Sequence, residues 1–316
     1  MAWKRDDKGR RDGLGVTLMW GLLGIVSRFP LRFHLRVFRV VSWFLEKIMH
    51  YRRDELMINL SRSFPDKKYK ELKQIRHRVY IHLADLMAEA IWFSSCRNFK
   101  RGRKRLHDAH IGEILNPEVI NALYDERPGV MILCGHSGNW ELLGGFLNMN
   151  YGEPWHFDEA SLGFVYKRLH SHLWDRIMDK NRCSVLYANP GFDGYCETGH
   201  ILRYALEHRG DKKVYVFPTD QFPYRGAQRH DVGTFMHQRT LAMAGGATLA
   251  AKLKMGVVYT RWSIISRGHY TLEFIPIASD ASTMDPVDIM KEYYRLLQED
   301  LERQPENYLW THKRWK

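Results

Sequence analysis

The sequence predicts an α/β protein, a mixed β-sheet flanked by helices and preceded by a helical N-terminal segment suited to membrane anchoring. Two observations carry the prediction. Short apolar runs at 130–133, 184–187, 214–218, 257–262 and 270–275 alternate with helical patterns near 140–149, 167–181, 197–209, 238–253 and 286–303. Ahead of them, residues 14–58 and 67–96 read as helices with no strand signal. At 316 residues the chain can bury a large core. We divide it into a basic N-terminal membrane-associating segment, 1–58, and an α/β domain, 59–316.

The N-terminal segment comes first in the chain and holds the densest positive charge. Residues 1–53 carry twelve Lys/Arg against four Asp/Glu, a net of +8 within a whole-chain charge of +12. Fifteen uncharged residues, 13–27, lie between Lys4, Arg5, Lys8, Arg10 and Arg11 on one side and Arg28, Arg32, Arg36 and Arg39 on the other. That is short of the roughly 20 residues needed to cross a bilayer. After Pro30, Arg32, Arg36 and Arg39 recur at helical spacing and leave Phe33, Val37, Val40, Val41 and Phe44 for the opposite face. The pattern reads as a basic helix lying in a membrane interface, with a core helix carrying a solvated basic face as the alternative. No small-residue cleavage site follows, which argues against a signal peptide.

The second helical stretch leads into Arg97-Asn98-Phe99-Lys100-Arg101-Gly102-Arg103-Lys104-Arg105. Such a run is most often a solvated loop; an acidic protein, an anionic lipid surface and nucleic acid are other partners of matching charge. The strands at 257–262 and 270–275 flank Ser266-Arg267-Gly268-His269, a turn signal, and read as an antiparallel hairpin that makes the sheet mixed. The cysteines, Cys96, Cys134, Cys183 and Cys196, form no Cys-x-x-Cys pair and no metal spacing. Gly144-Gly145 and Gly245-Gly246 are isolated pairs, not a phosphate-binding loop. No cofactor and no metal are expected.

Chemistry concentrates at His136-Ser137-Gly138-Asn139-Trp140-Glu141, directly after the apolar run 130–135. A buried strand opening into a helix delivers side chains to the carboxyl edge of a sheet, where open α/β folds build their sites. Histidine suits proton transfer near neutral pH, and a carboxylate can fix its tautomer. Asn139 is placed to cap the following helix.

These six residues resemble the His-x-x-x-x-Glu box, in its form His-x-Gly-Asn-Trp-Glu, of the bacterial lipid A biosynthesis acyltransferases of the lauroyl/myristoyl type. Other boxes follow in order. Asn59-Leu60 with Phe64-Pro65, and Glu89 in the next helix, are similar to the family's Asn-Leu…Phe-Pro stretch. Val165-Tyr166-Lys167-Arg168-Leu169 through Asp175 resembles its Val-Tyr-Arg-Pro-Leu…Asp segment, and Thr219-Asp220-Gln221 its Asp-Gln box. Pro305-Glu306-Asn307-Tyr308-Leu309-Trp310-Thr311-His312-Lys313-Arg314-Trp315-Lys316 resembles its C-terminal tail. Two departures stand out: Lys167 replaces the family's Arg, with Arg168 in place of Pro, and Phe222 to His230 replaces a Gly- and Phe-rich loop.

The resemblance implies a fold like that of the glycerolipid acyltransferases and a fatty acyl transfer from an acyl carrier protein thioester, or from acyl-CoA, to a hydroxyl of a lipid A precursor, at the cytoplasmic face of the inner membrane and without nucleic acid. His136 would be the general base and Glu141 its orienting carboxylate. Lys167, Arg168 or backbone N–H groups near Gly138 would stabilise the oxyanion, and Asp220, Gln221 and Asn139 would bind or order substrate. Asp175 reads as a helix-surface residue, and Trp140, Trp310 and Trp315 as packing aromatics. An acyltransferase for another glycolipid or aminolipid is the alternative; a non-catalytic binding protein is disfavoured by the presence of His136, Glu141 and Asp220.

Overall fold

Gly129–Cys134 is a six-residue stretch with no polar side chain, and all six residues are buried, the pattern of a strand covered on both faces. In the computed structural model, which describes residues 13–97, 99–224 and 226–315, this stretch is the middle of the sheet. The expectations placed on Lys4, Arg5, Lys8, Arg10, Arg11, Asn98, Arg225 and Lys316 fall outside the described residues.

In chain order the elements are α1 (Leu14–Val26), α2 (Leu31–Lys47), α3 (Arg53–Ser63), α4 (Tyr69–Phe93), α5 (Phe99–Asp108), β1 (Gly112–Ile114), α6 (Pro117–Glu126) and β2 (Gly129–Cys134). A 3₁₀ helix at Trp140–Met149 leads to β3 (Leu162–Tyr166), α7 (His172–Arg182), β4 (Tyr195–Glu197), α8 (Ile201–Glu207), β5 (Lys213–Pro218), β6 (His230–Phe235) and β7 (Gln238–Ala242). The chain ends with α9 (Gly245–Lys252), β8 (Gly256–Ser266), β9 (His269–Ala278) and α10 (Pro286–Arg303).

Seven strands form one mixed sheet in the order β1-β9-β8-β2-β5-β3-β4, with β6 and β7 a separate hairpin. β2 pairs in parallel with both β5 and β8. β8 and β9 are the antiparallel hairpin expected, turning at Gly268 with φ 75°. Because strand side chains alternate, β2 feeds two cores. Met131 and Leu133 pack with Tyr215, Tyr259, Tyr293 and Leu297 on one face; Val130, Ile132 and Cys134 pack with Val216, Val258, Leu142 and Phe146 on the other.

Several local readings differ from the structure. Residues 184–187 contribute no strand; Val185 and Leu186 are buried at a 3₁₀ turn, Leu186–Ala188. The stretch 238–253 divides into β7 and α9 around Met243 and Ala244. The expected helix at 140–149 is 3₁₀, and 14–58 is broken into α1, α2 and the start of α3, which continues through residue 58 to Ser63. The basic run is no loop: residues 99–105 lie in α5, and two of its cations, Arg103 and Arg105, reach inward while Arg101 and Lys104 stay exposed. Arg105 Nη2 donates to the carbonyls of Ser27, Arg28 and Phe29 at 3.2, 3.4 and 3.3 Å, capping the end of α1. Arg103 pairs with Glu159 at 2.5 Å.

No described helix is by itself long and apolar enough to cross a membrane; α1 and α2 together meet that requirement but are bent by 114°. α2 packs through His34, Leu35, Ser42, Leu45 and Glu46, and Glu46 pairs with Arg76 and His77 at 3.3 and 2.7 Å. The opposite side leaves Phe33, Val37, Val40 and Phe44 exposed, beside Arg32, Arg36 and Arg39. This is not the burial of a core helix with a solvated basic face.

Candidate active site

The register of β2 against β5 assembles the site. Cys134 lies opposite Pro218, so two residues further along each chain His136 and Asp220 emerge level at the carboxyl edge of the sheet. His136 Nδ1 meets Asp220 Oδ1 at 2.7 Å, and the His136 amide donates to Asp220 Oδ2 at 3.1 Å. The carboxylate thus fixes both the ring and the backbone of the same residue. With Nδ1–H given to Asp220, Nε2 carries the lone pair, and the Gln221 amide nitrogen lies 3.0 Å from it, donating. Burial opposes the charged imidazolium, but the Asp220 charge and hydrogen bond outweigh it, so the His136 pKa stands above its ordinary value. Asp220 is buried, which disfavours its charge, yet the contacts with His136 hold its pKa below the usual carboxylate range.

Glu141, expected to orient the histidine, has another partner. Arg182 grips it with two bonds, Nε to Oε2 at 2.6 Å and Nη2 to Oε1 at 2.7 Å, and Trp140 Nε1 donates to Oε1 at 3.0 Å. Burial would raise its pKa, and the Arg182 charge brings it below the ordinary value. Glu141 therefore stays ionised near His136 without bonding it. Asp220, 84 residues away in sequence, takes the orienting position. Sequence spacing favoured the nearer carboxylate; sheet register decides for the distant one.

The loop between them is held from behind. Gly138 has φ 60°, and a Cβ there would lie 2.2 Å from the Trp262 ring, so glycine is required. Its N–H donates to Asn307 Oδ1 at 2.7 Å, which removes it from the candidate oxyanion donors. The His136 carbonyl accepts from Leu309 N at 3.1 Å. Asn139, fully buried, accepts from Glu141 N at 3.2 Å through Oδ1, the expected cap, and donates through Nδ2 to Glu89 at 2.5 Å. Tyr270 O–H also reaches Glu89, at 3.0 Å. Burial pushes the Glu89 pKa up to about 8, so at neutral pH this carboxyl is protonated.

In front of His136 opens a cavity of about 380 Å³, within the size of small-molecule sites. Its polar lining includes His136, Glu141, Arg182, Gln221 and Lys167, and its walls include Leu143, Phe164, Val165, Val216 and Cys183. Trp140 stands edge-on to His136, ring centroids 5.0 Å apart, so this tryptophan belongs to the site as well as to the packing. Lys167 and Arg168 both reach the cavity. Lys167 Nζ sits 3.9 Å from the Tyr224 ring centroid, and Arg168 hydrogen-bonds the Tyr166 hydroxyl. Asp175 lies outside the lining; its Oδ1 accepts from Leu169 N at 2.8 Å and steadies the loop after β3. Trp310 is buried in the core.

Sequence reasoning missed Arg182 and Asn307 as site residues. Arg182 ends an amphipathic helix and no motif marks it. Asn307 lies within the C-terminal box, whose contact with the loop is visible only in three dimensions.

The family model of the bacterial lipid A biosynthesis acyltransferases matches residues 11–316. The chain belongs to that family and is an acyltransferase of lipid A biosynthesis. No curated protein matches it in sequence.

Proposed function

We propose that this acyltransferase moves a fatty acyl group from an acyl carrier protein thioester to a hydroxyl of a lipid A precursor, with His136 as general base. The observation that carries the reading is the His136–Asp220 pair, which faces a cavity with apolar walls. Nε2 takes the proton of the acceptor hydroxyl as its oxygen bonds to the thioester carbonyl carbon. The tetrahedral intermediate then collapses, the C–S bond breaks, and the imidazolium returns the proton to the leaving thiolate. Asp220 stabilises the imidazolium in between. No Ser or Cys nucleophile takes part.

The incoming hydroxyl takes the place of the Gln221 amide at Nε2. The displaced amide is then beside the reacting carbon, positioned to donate to the oxyanion, and Lys167 supplies positive charge at the same cavity. Glu141 adds a fixed negative charge that also favours the imidazolium, and Arg182 keeps it ionised and in place.

The exposed apolar side of α2 and its arginines support residues 1–58 as the membrane-associating segment and an anionic cytoplasmic leaflet of the inner membrane as the surface it meets. The remainder, 59–316, is the acyltransferase domain. A second reading, transfer to another glycolipid or an aminolipid, or with acyl-CoA as donor, draws on Lys167 and on the loop at 222–230, where the chain departs from the family's pattern.

The test is the mass spectrum of lipid A from cells lacking this gene, complemented with wild type or His136→Ala. Loss of one acyl chain, restored by wild type alone, is the expected result, and the mass difference gives the chain length. Unchanged lipid A on deletion would overturn the acceptor assignment.

A further inference from the structure

Beside the reaction cavity lies a second cleft of about 410 Å³ lined by Phe222, Arg239, Leu241, Arg314 and Trp315. Phe222 belongs to both, so the two are neighbours across one aromatic ring. Among the described residues the lining of the cleft includes two guanidinium groups and no carboxylate. Arg314 is 1 % exposed. Its Nη2 donates to Leu241 O at 3.0 Å and to the Tyr294 hydroxyl at 2.7 Å, while Nε and Nη1 have no partner among the described residues. Leaving donors of a buried cation unspent is costly. At the rim, Arg239 is largely exposed and its visible partner is Asp231, at 2.7 and 2.8 Å. A further arginine, Arg229, lies over the Phe222 ring at 5.5 Å.

Planar forks of this kind match the oxygens of a phosphate, and an exposed carboxylate partner is readily exchanged for a doubly charged one. We propose that this cleft is a phosphate subsite, which seats a phosphate group of one substrate while the reacting end of that substrate lies past Phe222 at His136. The inference rests on the acyl-transfer reading for what the substrate is, though not for the binding of phosphate itself. The phosphate has two possible sources, the sugar of the acceptor glycolipid and the phosphopantetheine arm of the donor.

The full chain, purified in detergent micelles, is titrated against inorganic phosphate and followed by ³¹P line broadening, for wild type, Arg239→Gln and Asp231→Asn. Arg239 is a surface side chain, so its variant folds; Arg314→Lys is a second, buried variant. Expected is saturable broadening in wild type, about tenfold weaker binding in Arg239→Gln, and tighter binding in Asp231→Asn, which frees Arg239. Steady-state kinetics separate the sources. A raised KM for a phosphorylated acceptor, absent with its dephosphorylated analogue, assigns the acceptor phosphate. A raised KM for acyl carrier protein, absent with an acyl N-acetylcysteamine thioester, assigns the donor. Equal phosphate binding in wild type, Arg239→Gln and Asp231→Asn, with both KM values unchanged, would overturn the subsite. Loss of the acyltransferase reading would appear separately, as no turnover by wild type.

Discussion

Replacing Glu89 by Gln should stabilise the protein, and increasingly so as the pH rises. Glu89 is fully buried behind the 136–141 loop and its pKa is pushed from 4.5 to about 8. Its contacts are an amide donor, Asn139 Nδ2 at 2.5 Å, and the Tyr270 hydroxyl, at 3.0 Å, which can give or take a proton. A glutamine satisfies both: its carbonyl accepts from Asn139 and its NH₂ donates to Tyr270. The sign follows from proton linkage. Between pH 4.5 and 8 the unfolded chain has lost the Glu89 proton and the folded chain keeps it, so the wild type loses stability as pH rises through that window. Each pH unit is worth about 1.4 kcal/mol, so at pH 7 the variant should be more stable by about 3 kcal/mol, with no difference below pH 4.5 and a plateau above pH 8. Urea unfolding in micelles, followed by tryptophan fluorescence at pH 4, 7 and 8.5, measures it. A difference that does not change with pH would refute the neutral carboxyl, and a variant that becomes less stable than wild type as the pH rises would show that the site holds a charge.

Other perturbations test the site itself. The proposed base chemistry needs neutral His136, so kcat/KM should rise with pH through an inflection above 6.5; in Asp220→Asn burial dominates, and the inflection should move below 6.5 while kcat falls. An unmoved inflection would sink the His136–Asp220 assignment. Arg182→Met leaves Glu141 buried and unpaired and should cost about 3–5 kcal/mol in a denaturant titration, whereas Arg182→Met combined with Glu141→Leu should recover much of that loss. Gly138→Ala places a Cβ against Trp262 at φ 60°; the backbone conformation alone costs about 1–2 kcal/mol, so both melting temperature and kcat should drop. Gln221→Ala should lower kcat by about 10²–10³ if its amide meets the oxyanion, with the KM for acceptor little changed; an unchanged kcat would remove it from that role.

Where each residue's surroundings are local, the sequence was sufficient. β2 announces itself because a strand buried on both faces needs an unbroken apolar run, and the β8–β9 turn because Gly268 adopts a conformation few other residues share. Val185 and Leu186 looked the same as β2 residues but are too few to distinguish a strand from a buried turn. The β6–β7 hairpin hides behind a polar run whose pairing partner lies across the intervening loop. The inward contacts of Arg103 and Arg105 were equally unreadable, since a basic run has the same composition whether it faces solvent or caps a neighbouring helix. His136, Asn139 and Asp220 were visible as residue types at strand ends. Their division of labour was not, because it depends on which strands lie side by side.

Three carboxyl groups around one six-residue loop show why that division cannot be read from residue type. Asp220 meets a histidine and is ionised by it; Glu141 meets an arginine and is ionised by that; Glu89 meets only neutral donors and keeps its proton. The consequence is a loop bearing a fixed number of charges. Had Glu89 been ionised as well, a third buried negative charge with no cation of its own would lie behind Asn139. The neutral carboxyl therefore holds Asn139, and through it the Glu141 turn, without burying an unpaired charge. Glutamine at position 89 preserves that arrangement, and aspartate at position 307 would disturb it, placing a carboxylate against the Gly138 amide at the other side of the same loop.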